Sequence, residues 1–110
     1  MRIVISVLAI LFGLLHLAAA CFGLFKGKGT APRGNSVIML CGGIAIVCAA
    51  IAHLTGANPG WVDGLSVAVG SILVCTAAYL NGKWAGKIHL THHAIRISFA
   101  SLLAVGFILW

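Results

Sequence analysis

The sequence holds one acidic residue, Asp63, in 110 positions. No second carboxylate exists to pair with it, so paired-carboxylate acid–base chemistry within this chain is excluded. Charged residues of either sign make up only 7% of the chain. That is too little polar surface to cover the core of a water-soluble domain, so lipid has to solvate much of the exterior. Cys-x-x-Cys and Cys-x-x-x-Cys spacings are missing, as are a P-loop glycine motif and a nucleophile motif. The chain is therefore read as a non-enzyme. Low-complexity segments and coiled-coil heptads are also lacking.

What is present is apolar: 62% of the residues are hydrophobic. They fall into runs at about residues 3–25, 36–54, 61–80 and 92–110. Each run is long enough, at ~1.5 Å per helical residue, to cross a hydrocarbon core of ~30 Å. The fourth is the shortest and carries Arg96. Short connections imply antiparallel neighbours. The expected fold is an all-α integral membrane protein, a four-transmembrane-helix up-down bundle forming a single domain over residues 1–110.

Met1-Arg2 followed by an apolar stretch resembles a signal peptide, with Ala18-Ala19-Ala20 as a cleavage site and Ala20-Cys21 faintly like a lipoprotein site. The run continues to Phe25 with bases directly behind it, so it is read as a retained first helix. The connections are Lys26 to Asn35, broken by Gly and Pro32; Thr55 to Gly60; and Asn81 to Lys87. Asn35 or Ser36 is the expected cap of the second helix. Asp63 near the start of the third suits the helix dipole.

Lys26, Lys28, Arg33, Lys83, Lys87 and Arg96 fall on one side and only Arg2 on the other. By the positive-inside rule the basic loops face the cytoplasm, with both termini outside a cell membrane. Trp61, Trp84 and Trp110 stand near helix ends, where interfacial Trp is favoured. The basic loops would meet anionic headgroups rather than nucleic acid. Splitting the chain into two hairpins aligns Gly27-Lys28 with Gly82-Lys83 and little else, so no duplication is inferred.

The strongest constellation is His89, His92, His93 and Arg96, on one helical face at the mouth of the fourth helix. Free N–H groups there attract anions, and Arg suits bidentate phosphate contacts. A plain interfacial basic patch is the simpler reading. His16 lies at membrane depth, where a polar side chain marks a solute or proton path or bonds a neighbouring helix. His53 lies near the outer interface, where water can satisfy it. Cys21, Cys41, Cys48 and Cys75 all lie in apolar runs, as small hydrophobes do. Cys21, Cys41 and Cys75 share a depth near His92 and His93, but without ligand spacing no metal or haem is assigned. Small residues along the second helix (Gly42, Ala45, Ala49, Ala52) and third (Gly64, Ala68, Ser66, Gly70) form a packing face.

In length and hydropathy the chain is similar to small multidrug-resistance exporters, which use a glutamate in the first helix for proton-coupled cation export. The run over 3–25 contains no acid, so the residue that mechanism needs is missing. Holins are also similar in hydropathy but end in a charged tail, whereas this chain ends on Trp110. The function expected is a small oligomeric transport or channel protein for a small solute, anion or lipid headgroup, with His16, His89, His92, His93 and Arg96 as binding residues. The alternative is a non-catalytic accessory subunit of a larger membrane complex. Homo-oligomerisation or a partner in such a complex is expected in either case.

Overall fold

The structure, a computed structural model, describes residues 1–26 and 31–110. Gly27, Lys28, Gly29 and Thr30, and with them part of the first basic loop and of the repeat alignment, lie outside the described residues. Four helices follow one another: α1 Arg2–Phe25, α2 Arg33–Thr55, α3 Gly60–Trp84 and α4 Leu90–Leu109. No strand occurs among the described residues. All four are long and apolar enough to cross a membrane. Large apolar side chains on their outer faces, among them Leu15, Ile72 and Leu102, are well exposed, as a lipid-facing surface requires.

The expected fold is the one observed, and the corrections fall at helix ends. α2 begins at Arg33, directly after Pro32, and neither Asn35 nor Ser36 caps it. Pro32 presets the backbone for helix entry. Asn35 is thereby freed to donate from Nδ2 to Asn81 Oδ1 of α3 at 3.0 Å. That bond keeps Asn81 helical, and α3 runs on to Trp84 instead of stopping at residue 80. α4 starts at Leu90, two residues before the expected position, with His89 as its N-cap.

Two helices end in the same way. Gly56 after α2 and Gly86 after α3 take φ values of 69° and 72°, the left-handed region open to glycine. Around them the amides of Gly56 and Ala57 bond the carbonyls of His53 and Ala52. Those of Gly86 and Lys87 likewise bond Lys83 and Gly82. Both are Schellman closures that satisfy the last carbonyls and turn the chain sharply.

Adjacent glycines on α2 serve opposite neighbours. Gly43 meets α1, where a Cβ would stand 3.2 Å from the Gly13 carbonyl oxygen. Gly42 meets α3, where a Cβ would stand 2.6 Å from the Gly70 carbonyl oxygen. α2 is thus the middle of a tightly stacked trio, and its small-residue face works within the chain. The main core joins all four helices through Ala9, Ile46, Val67, Val74, Leu103 and Phe107. α4 lies against α3, with Gly64 admitting the Ala104 carbonyl, and is the least buried of the four. It meets α1 at Ile5 against Gly106 and Phe12 against Phe99.

Gly42→Ala should therefore destabilise the protein by about 1–3 kcal/mol, the range for overpacking a tight contact. Gly34→Ala, where a Cβ meets nothing within 4 Å, should not destabilise it. Unfolding of the two variants in detergent, followed by loss of helical circular dichroism, makes the comparison.

Candidate functional site

The short turns fix which polar residues share an end. Lys26, Arg33, Lys83, Lys87 and the start of α4 lie at one end, called here the basic end. Met1, the Gly56–Gly60 turn and Trp110 lie at the other. Arg2 confirms that grouping, since a Cβ on Gly56 would stand 3.7 Å from its Nη1. Trp61, Trp84 and Trp110 are exposed at the helix ends.

At the basic end a cavity of ≈ 290 Å³ opens between α2, α3 and α4. Its wall includes Lys87, His89, His92, His93 and Arg96, with Met39, Ala78, Asn81 and Gly82 opposite. The Schellman turn at Gly86 brings the chain back over the end of α3, and α4 then enters on the far side. His89, His92, His93 and Arg96 come together as the helical spacing implied. His89 and His92 are exposed with rings 5.6 Å apart and perpendicular, and Tyr79 on α3 sits edge-on to His93 at 6.0 Å. Gly82 floors the cavity, since a Cβ there would meet the Lys87 carbonyl at 3.0 Å and His93 Nε2 at 3.9 Å. The chain's one carboxylate, Asp63, is at the opposite end. No acid therefore offsets these bases, and the cavity concentrates positive potential.

His16 stands apart from this cavity. It is 4% exposed, its Nδ1–H donates to the Phe12 carbonyl at 2.7 Å, and its ring packs on Phe12 at 4.4 Å. A carbonyl can only accept, so Nδ1 carries a proton. Arg96, in the cavity wall, is half-buried. The cysteines are all free: Cys21, Cys41 and Cys48 are exposed and Cys75 is half-buried. They do not converge with His92 and His93. Among the described residues no three of the His, Cys, Asp and Glu side chains are grouped to hold a metal.

The far end carries a polar cluster that the sequence reading passed over. His53 is 2% exposed and Asp63 1%, with His53 Nδ1 at 3.4 Å from Asp63 Oδ2. His53 is buried in protein instead of resting in interfacial water. Asn58 in the turn donates to Asp63 Oδ1 at 3.1 Å, and the His53 ring lies against Phe107 at 4.5 Å. Asp63 also lies in the first turn of α3, where the helix dipole favours a carboxylate. Asp63 Oδ2, His53 Nε2 and the hydroxyls of Ser6 and Ser71 are buried without hydrogen-bond partners, so His53 and Asp63 face each other at ion-pair distance without a formed hydrogen bond. The signal was available: His53 and Asp63 are equidistant from Asn58, and a hairpin turn brings equidistant residues to one depth.

No family model, curated protein or solved structure matches the chain.

Removing one member of a buried His–carboxylate pair strands the other. His53→Leu should cost about 3–5 kcal/mol, whereas the double variant His53→Leu/Asp63→Leu should recover most of that loss. A double-mutant cycle of detergent unfolding measures the coupling. Additive losses would mean that the two side chains do not sustain each other.

Proposed function

We propose that this chain is a small oligomeric transport or channel protein that takes up an anion, or an anionic headgroup, at its basic end. The observation that carries the reading is the cavity where Lys87, His89, His92, His93 and Arg96 meet with no carboxylate beside them. An uncompensated cluster of that kind calls for negative charge from outside the chain. Arg and imidazole N–H groups supply the directed donors that phosphate or carboxylate oxygens need. The positive-inside rule would set this end in the cytoplasm of the cell membrane. A bundle of this size has little room for a solute path of its own, so the path would form between copies.

A second reading, a non-catalytic accessory subunit in a larger membrane complex, is favoured by the closed centre. Ile46, Val67 and Val74 are fully buried between the two ends, and His16 does not line the basic cavity. Purified protein in liposomes separates the two. Under the transport reading, uptake of inorganic phosphate or translocation of a fluorescent phosphatidylglycerol rises above empty liposomes. Arg96→Gln should then slow it about tenfold, the effect of losing a charged hydrogen bond. No movement of either probe, with wild type eluting as a bare monomer, would sink the transport reading and leave the accessory one.

A further inference from the structure

A second cavity of ≈ 500 Å³ lies along the α3–α4 cleft, deeper in the membrane than the basic one. We propose that the two form a single site for an anionic phospholipid, with its phosphate in the basic cavity and an acyl chain along the cleft. The proposal rests on the reading of the basic end as an anion site and adds the class of ligand.

The cleft is recessed because its floor is made of small side chains, Ser71, Ala100 and Ala104 among them, while Ile72, Ile97 and Val105 stand out as exposed rims. Its exposed lining is mostly hydrocarbon and carries no charged side chain, with the hydroxyls of Ser71, Thr76 and Ser101 as its polar groups, so it suits a hydrocarbon chain better than a free inorganic anion. The two cavities lie end to end on the same helix pair. Cys75 and Ile97 belong to the deeper one, Ala78 and Arg96 to the basic one, so the two walls are one helical turn or less apart on α3 and adjacent on α4. From Gly82 at the headgroup end to Ala68 at the inner end is about 21 Å of helix at 1.5 Å per residue. One bilayer leaflet with its headgroup layer is roughly 20–22 Å thick. A phospholipid in its ordinary orientation therefore reaches from one cavity through the other.

Charge decides between this occupant and a helix from a second copy. A second copy brings only Asp63 as an acid, and Asp63 is 1% exposed at the far end. It leaves Lys87 and Arg96 uncompensated, whereas a phospholipid fills the trough and neutralises the mouth together. The chain is already in an apolar medium before it enters the cleft, so the cleft adds packing and register and the headgroup adds most of the preference.

The test uses the full chain, delipidated in an uncharged detergent, with native mass spectrometry reading bound lipid. Dioleoylphosphatidylglycerol should bind about tenfold more tightly than dioleoylphosphatidylcholine, and Arg96→Gln should erase that preference. Ser101→Phe and Thr76→Phe, on exposed positions of the two cleft walls, should weaken phosphatidylglycerol about threefold while leaving binding of inorganic phosphate unchanged. Circular dichroism and elution volume check that these variants fold. Independently of any variant, wild type should bind dihexanoylphosphatidylglycerol more weakly than the dioleoyl form. Equal binding of the short- and long-chain lipids overturns the lipid proposal and spares the anion reading. Failure of phosphatidylglycerol and phosphate alike to bind overturns both. Cleft variants that change oligomeric mass with lipid binding intact assign the cleft to a second copy and overturn the proposal.

Discussion

Helices in a bilayer gain little by hiding apolar side chains from lipid tails, which are just as apolar, so close approach of backbones has to hold them together. Everything else in this protein follows from where such approach is possible. Gly13 with Gly43 and Gly42 with Gly70 set α2 tightly between α1 and α3. Because α2 is gripped on both sides, its two ends become fixed points. At one, Asn35 reaches Asn81, and at the other His53 meets Asp63. The polar contacts do not create the arrangement. They settle at the depths that the glycine contacts leave for them, and there the low dielectric makes an unpaired group expensive.

The two ends then divide the charge between them. The single carboxylate is held internally by His53 and Asn58, which removes it from the surface. The bases at the opposite end have no such internal partner. The molecule thus answers its own negative charge at one end and leaves its positive charges open at the other. The aromatic residues follow the same division. Phe107 seals the His53 end, while Tyr79 borders the open basic cavity.

How far this was legible in the sequence depended on the range of the interaction responsible. Four helices could be read because burial in lipid writes long, uninterrupted apolar runs. Their ends could not, because Arg33, Asn81 and Gly82 look like loop residues by composition, yet Arg33 is helical directly behind Pro32 and Asn81 where it bonds Asn35 of α2. The grouping of His89, His92, His93 and Arg96 was legible because helical spacing is local. Lys87, Asn81 and Met39 as further walls of that cavity were not, since they arrive by way of the Gly86 turn and of α2. His16 could be placed within the first helix, but that placement says nothing of its bond to Phe12. His53 was misjudged by treating it singly, when its meaning lies in its symmetry with Asp63 about Asn58.

The uneven grip on α4 has a consequence for motion. α1, α2 and α3 are joined by glycine-to-backbone contacts, Gly13 with Gly43 and Gly42 with Gly70, whereas α4 meets α1 through Ile5 with Gly106 and Phe12 with Phe99. Parting that seam exchanges one apolar neighbour for another. It is therefore the cheapest opening in the bundle, a sub-global fluctuation rather than unfolding. The fourth helix keeps its closest backbone contacts with α3, at Gly60 and Gly64. Opening at the α1–α4 seam would bare the ring stack of Phe12 and His16 to the lipid.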